Sequence, residues 1–324
     1  FSHVFIVGVL FAVGVIFSGC TASPISDQNN GDKKQVAATI FPLYSLVEEV
    51  AGDTVEVVQI VPPGASPHFF DPKPSLIREL QGSEAIFSIG ADFDIWTESL
   101  TESLPNAKMI PLDQYVALRT GEVHNHVHND HDEHEHNEDE HGHDDHGDEH
   151  QDEHEEEGID PHYWLSPENA EIMVEQIAQE LSAIDPENSE VFTQNAQEFI
   201  TELNQENSGW TVQINTLPNK EIVTFHDAFA YFADHFGLEV VATFEPFAGQ
   251  EPTAQYLAEL KEEIEKHNIR GVYLEPQMPK SVIEQFAKDN NLSVGVLDPI
   301  GGVDGRMSYI ELIEYNIQAV TRAQ

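Results

Sequence analysis

The pattern that most constrains the fold is an alternation of short apolar segments with amphipathic ones, which occurs twice along the chain. In the first series, strands are predicted at 36–40, 55–61, 85–89 and 109–112, and helices at 42–50, 74–80 and 94–104. In the second, strands are predicted at 222–225, 240–244, 271–274 and 293–297, and helices at 228–236, 253–267, 280–290 and 308–322. Such alternation indicates mostly parallel sheets. We therefore expect an α/β protein with two similar lobes, at 36–185 and 217–324.

A long helix should join the two lobes, at 186–216. A shorter helix before it should open at Ser166-Pro167, with Ser166 as N-cap, and end near 184. The longer one carries a single apolar stripe, formed by Phe192, Ala196, Phe199 and Leu203. About 27 helical residues span roughly 40 Å. Such a linker is stiffer than a loop, so the lobes should not swing widely.

The N-terminal segment has the pattern of a bacterial secretion signal. Residues 4–17 are almost entirely apolar, which is too short for a comfortable membrane span of ~20 residues. Small residues then precede Cys20, the only cysteine, as in a lipobox. We expect a signal peptide at 1–19, lipid attachment at Cys20, a polar tether at 20–35, and a body outside the cytoplasmic membrane. The alternative is an uncleaved N-terminal anchor with an incidental thiol.

The charge of the chain is concentrated in one segment. The 324 residues carry 59 acids against 14 Lys and Arg, a formal charge of −45, which disfavours nucleic-acid binding. Residues 122–157, the His/acid tract, contain 17 acids, 11 histidines and no Lys or Arg. With almost no apolar residue, the tract should be disordered.

A solvated acidic loop explains the acids of the tract but not its histidines. Their enrichment calls for a metal explanation, so we predict weak auxiliary capture of a metal ion there. The tract histidines are His124, His126, His128, His131, His134, His136, His141, His143, His146, His150 and His154.

Four polar residues outside the tract follow strands or precede helices. His226 and Asp298 directly end predicted strands, where ligands bind in open α/β sheets. His68 lies in a proline-rich loop after a strand of the other lobe, and His162 lies just before a helix. Three imidazoles and a carboxylate suit zinc above other ions. The spacing alone is a weak signal, because each histidine is also compatible with a turn or capping role.

Five segments together resemble the solute-binding proteins of zinc and manganese ABC importers. In chain order they are PPGASPHFFDPKPS, DPHYWLSPENA, TFHDAFAYFADHFGLEV, GVYLEPQMPKSVIEQFA and VLDPIGG. The resemblance implies two α/β lobes joined by a rigid helix, with the metal between them. It also implies that His68, His162, His226 and Asp298 are the ligands. Manganese-type members typically have Glu at the third position, so His226 favours zinc; Asp298 or a water should complete the shell.

The resulting prediction is a non-enzymatic, monomeric binding protein that captures Zn²⁺ and delivers it to a membrane permease with its ATPase subunit. One alternative is a manganese-binding homologue of the same importer class. Another is a surface zinc buffer or sensor without transport. A zinc hydrolase would need an open coordination position and a base. Glu245, Glu251 and Glu275 lie near suitable strand ends, but helix capping or the interlobe cleft explains them better.

Overall fold

The protein is described from a computed structural model that covers residues 33–120, 158–245, 252–276 and 280–323, without the side chains of 280–282. The predicted signal peptide, Cys20, most of the tether and the His/acid tract lie outside the described residues. Within those ranges, no helix is both long and apolar enough to cross a membrane.

The first lobe is built on a four-stranded parallel sheet. Its strands are β1 (Lys34–Ala38), β2 (Val55–Gln59), β3 (Ser83–Ser88) and β4 (Lys108–Pro111), in the order β2-β1-β3-β4. Its helices are α1 (Phe41–Ala51), α2 (Pro74–Glu79) and α3 (Thr97–Ser103). Val36, Ala37 and Ala38 are fully buried, because β1 lies inside a sheet covered on both faces. The helix predicted at 94–104 is shorter than expected and begins at Thr97.

A short antiparallel pair lies at the two ends of the His/acid tract. It consists of β5 (Arg119–Thr120) and β6 (Ile159–Asp160), with Arg119 opposite Asp160 and Thr120 opposite Ile159. No sequence pattern predicted it. Asp160, which this pair holds in place, lies two residues before His162 in the chain.

Two long helices follow, α4 (Pro167–Ile184) and α5 (Ser189–Asn215). The predicted stripe of α5 is buried, with none of its four members more than 5% exposed. The helix continues through Gly209 to its end, where Trp210 and Ile214 are also buried. Helix α5 packs against α1 of the first lobe and against the C-terminal helix of the second lobe, Tyr309–Ala323. It therefore joins the two lobes along its length.

The second lobe repeats the plan of the first. Its parallel sheet has β7 (Glu221–Thr224), β8 (Glu239–Thr243), β9 (Gly271–Leu274) and β10 (Ser293–Val296), in the order β10-β9-β7-β8. Its helices are α6 (Ala230–Phe236), α7 (Ala254–Lys266), α8 (Lys280–Asp289) and α9 (Tyr309–Ala323), of which α9 contacts α5. The predicted fold, two mostly parallel α/β lobes joined by a long helix, is confirmed.

Candidate metal centre

His68 enters the cleft from the first lobe. It lies in a short 3-10 helix, Pro67–Phe69, that follows the loop after β2. The Trp96 indole N–H donates to the carbonyl oxygen of Pro67 at 3.0 Å, which holds this turn in place. The His68 ring is only partly buried and packs edge-on against Phe93, with 4.7 Å between ring centroids.

His162 is held by its neighbour Asp160. Oδ1 of Asp160 accepts the His162 backbone N–H at 2.9 Å and lies 2.8 Å from His162 Nδ1. An Nδ1–H donated to the carboxylate leaves the lone pair of Nε2 free to bind a metal. His162 is 5% exposed, so this carboxylate also compensates for the burial of a polar ring.

His226 follows the last residue of β7 by two positions, at the carboxyl edge of the second sheet. Its Nδ1 contacts Oε1 of Glu275, which directly follows β9, the strand beside β7. The Nε2 atom of His226 is buried and has no hydrogen-bond partner among the described residues. The second lobe therefore presents an oriented imidazole whose second nitrogen is available.

The three histidines converge. Their ring centroids are 5.5 Å apart for His68 and His162, 6.0 Å for His68 and His226, and 5.4 Å for His162 and His226. One nitrogen from each lies within 4.8 Å of the other two. Within the described part of the chain, this is the one group of His, Cys, Asp or Glu side chains that could hold a metal ion. Three imidazole nitrogens at this separation suit a zinc-like ion.

Aromatic residues form the floor beneath the histidines and connect the lobes. The Trp164 ring lies 5.2 Å from that of His162 and 4.9 Å from that of Phe93. The Trp164 indole N–H donates to the carbonyl oxygen of Pro299 at 2.8 Å, and the Tyr309 hydroxyl donates to the carbonyl oxygen of Trp164 at 2.8 Å. The segment that carries His162 is thereby fixed against the second lobe.

Burial and neighbouring charges shift the pKa values of His68 and His226 in opposite directions. Burial, and then the neighbouring His162 and His226, lower the pKa of His68 to about 3. Burial also disfavours charge on His226, but the carboxylates of Glu275, Asp227 and Glu245 outweigh it and raise the pKa of His226 above its usual value. His68 is therefore neutral near pH 7, as a ligand must be, whereas at His226 protons compete with a metal up to a higher pH than the usual histidine pKa would give.

Asp298, the fourth residue predicted at the site, has its carboxylate bound elsewhere. Oδ1 accepts the backbone N–H groups of Ile300 at 2.9 Å and Gly301 at 3.0 Å, and Oδ2 lies 3.1 Å from Nη1 of Arg306. Asp298 is 1% exposed. It does not belong to the group of converging ligand atoms that the described residues form. To coordinate a metal, the carboxylate would have to reorient or share its oxygens with Arg306 and the two backbone N–H groups.

Other polar residues of the described chain do not belong to the group of three histidines. His235 contacts Asn207, and His267 lies between Glu221 and Glu263, so each of these histidines has its own polar partner. Ser166 stands at the N-cap of α4 as expected, but its side chain makes no capping bond. Cys20, Glu251 and the tract histidines lie outside the described residues.

Two carboxylates of the centre were missed as partners of the histidines. Asp160 was visible as the residue two before His162, where a side chain can fold back onto the following backbone. Glu275 directly follows a predicted strand, at the same sheet edge as His226. Residues that follow neighbouring parallel strands lie at one edge of the sheet, and that relation is the signal for this contact.

A model of the family described as zinc-uptake complex component A, periplasmic (ZnuA), matches residues 36–323. The chain belongs to this family. The resemblance drawn from the five segments is thus confirmed.

Two curated zinc-binding proteins and a solved structure are similar to this chain over most of its length. The zinc-binding protein AdcA of Streptococcus pyogenes is 28% identical over 273 residues, covering 84% of this chain and 51% of AdcA. The zinc-binding lipoprotein AdcA of Streptococcus pneumoniae is 28% identical over 304 residues, covering 91% and 57%. The chain therefore spans a little more than half the length of these relatives. A crystal structure of ZnuA is 27% identical, with a TM-score of 0.74, covering 90% of this chain and 99% of that one.

Proposed function

We propose that the chain is an extracytoplasmic solute-binding protein that captures Zn²⁺ between its lobes and delivers it to the permease of an ABC importer. The observation that carries this proposal is the convergence of His68, His162 and His226 from both lobes. The names of the family and of its AdcA relatives support zinc as the cargo. The permease and its ATPase subunit are the partners that follow from a zinc-uptake complex.

The donor set favours zinc over manganese. Three imidazole nitrogens form a site of intermediate softness, whereas Mn²⁺ prefers carboxylate, carbonyl and water oxygens. We propose that Asp298 or a water completes the shell. Because Arg306 and two backbone N–H groups hold the Asp298 carboxylate, a water is the fourth ligand that requires no rearrangement.

A binding role fits the acids around the histidines better than an enzymatic one. Glu275, one of the three acids considered as the base of a zinc hydrolase, is bonded to His226. Its geometry orients a ligand instead of a nucleophilic water.

The parts outside the described residues complete the proposal. Lipid attachment at Cys20 would hold the protein at the outer face of the cytoplasmic membrane. The His/acid tract would collect zinc weakly near the site, since carboxylates around each imidazole raise the local cation concentration. A surface buffer or sensor would share these features, but it would not depend on a permease.

Metal content tests the proposal. The full chain, purified without added metal and dialysed against a weak chelator, should retain a single tightly bound zinc. His226→Ala should lose it, whereas His267→Ala, the matched loss of a histidine outside the site, should keep it. Manganese in the unmodified protein would overturn the choice of ion. Zinc uptake that is unchanged in cells lacking the protein would contradict the transport role.

A further inference from the structure

The hydroxyl of Tyr231, in the second lobe, forms hydrogen bonds with both β5 and β6, the two strands that flank the His/acid tract. Tyr231 lies on α6 and is 6% exposed. Its oxygen accepts the backbone N–H of Arg119 at 2.7 Å, and its hydroxyl donates to the carbonyl oxygen of Asp160 at 3.2 Å. Arg119 and Asp160 lie opposite each other in the β5–β6 pair. One side chain therefore fixes both strands of that pair.

A second contact reinforces the same junction. The Arg119 guanidinium forms an ion pair with Asp234, which also lies on α6, and its Cζ is 5.8 Å from the centre of the Tyr231 ring. We call Arg119, Asp160, Tyr231 and Asp234 the stem clamp. Burial raises the pKa of Tyr231, so its hydroxyl remains protonated and able to donate.

The stem clamp connects the two chain segments that supply ligands from opposite lobes. Asp160 holds His162 through both the ring and the backbone. The helix that carries Tyr231 starts four residues after His226. His162 and His226 are thus linked through protein contacts and not only through a shared metal.

We propose that Tyr231 is a positioning residue for metal binding, which sets the separation of His162 and His226 by holding Asp160 against α6. The inference rests on the proposed function. A preorganised site loses less conformational freedom when it binds, so it binds more tightly and releases more slowly. Without the hydroxyl, the metal itself must order the junction between the lobes.

Tyr231→Phe tests this role, because it removes only the hydroxyl. Dissociation of the most tightly held zinc, followed with a chromogenic chelator, should become about 3- to 10-fold faster, as expected if part of the free energy of the two lost hydrogen bonds holds the site in place. The matched control is Tyr273→Phe, whose buried hydroxyl donates to the Val320 carbonyl oxygen at 3.3 Å, in the second lobe. That variant should release zinc like the unmodified protein. Unchanged dissociation in Tyr231→Phe, or equal acceleration in both variants, overturns the inference.

A double-mutant cycle separates positioning from general destabilisation. If Tyr231 acts through Asp160, Tyr231→Phe should accelerate zinc dissociation less in an Asp160→Asn background than in the unmodified protein. Additive effects of the two substitutions would show that Tyr231 does not act through Asp160. If Tyr231→Phe does not fold without metal, Arg119→Gln carries the test, with an expected acceleration of about 2-fold; unchanged dissociation there refutes the clamp. Failure of the unmodified chain to bind zinc would instead refute the proposed function itself.

Discussion

Glu275 and His226 stand at the ends of adjacent parallel strands, and the carboxylate of Glu275 meets Nδ1 of the His226 ring. This pairing fixes which nitrogen of His226 faces the cleft. If the three histidines bind a metal, Glu275, which is outside that group, should also determine the metal affinity.

Glu275→Gln should weaken zinc binding about 10-fold or more, the usual effect of removing the carboxylate partner of a metal-binding histidine. Competition with a chelator of known affinity measures it. The matched control is Glu221→Gln, since Glu221 makes the same kind of contact to His267, 3.0 Å from Nδ1, outside the site. Equal losses in the two variants would contradict the assigned role of Glu275.

Zinc affinity should fall as the pH is lowered through the pKa of His226. That pKa is raised by Glu275, so the protonated ring competes with zinc already above its usual value of about 6.5. His68, with its pKa near 3, contributes no competition in this range. The affinity should drop by close to tenfold per pH unit below the midpoint, and Glu275→Gln should move the midpoint to lower pH. Affinity that is unchanged between pH 7.5 and 5.5 would exclude a three-histidine site.

The metal-free protein should lose stability in acid partly because of His68. Its pKa is lowered on folding, so between about 6.5 and about 3 the unfolded chain binds a proton that the folded chain does not. The stability contribution is therefore complete above pH 6.5 and is lost as the pH falls. Urea unfolding at several pH values should show a smaller acid loss for His68→Gln than for the unmodified protein. Parallel curves for the two proteins would count against the assigned burial of His68.

Arg306→Gln should lower the free energy of unfolding by about 3 kcal/mol, because it leaves the Asp298 carboxylate buried without its cation. Arg322→Gln, at an exposed arginine that contacts Gln318, is the control and should change it by less than about 0.5 kcal/mol.

The same substitution tests the fourth ligand. Once released from Arg306, Asp298 is available to bind zinc, so zinc should raise the unfolding temperature of Arg306→Gln more than that of the unmodified protein. An equal rise in both would contradict the idea that Arg306 controls whether Asp298 binds zinc.

The sequence predicted the regular parts of the fold because their apolar periodicity is strong. It predicted irregular ends less well. The helix expected from position 94 begins at Thr97 because the Asp94 carboxylate accepts the backbone N–H groups of Ile89 and Gly90, at 2.8 and 2.9 Å, and so holds a turn instead. The β5–β6 pair has only two residues per strand, too few for any periodicity.

At the site, sequence motifs predicted the three histidines. The carboxylate that contacts His226 depends on the packing of distant segments and was harder to predict. Glu275 reaches His226 across 49 residues, a relationship that no local pattern encodes. Asp298 has the position of a ligand in the sequence, yet an arginine eight residues later in the chain holds its carboxylate in the structure. Positions at strand ends can be predicted, whereas competition among neighbours for one side chain cannot.

The antiparallel pair of Thr120 and Ile159 has a consequence for how this protein can vary. The chain leaves the described scaffold after Thr120 and returns to it at the facing residue Ile159, so residues 121–158, here called the cassette, are joined to the scaffold at a single place. Changing the length of such an insertion alters the loop-closure free energy only slowly, by about 0.6 kcal/mol for each doubling. Shortening, lengthening or exchanging the cassette should therefore leave the scaffold intact. The length and composition of this segment can therefore change independently of the three histidines.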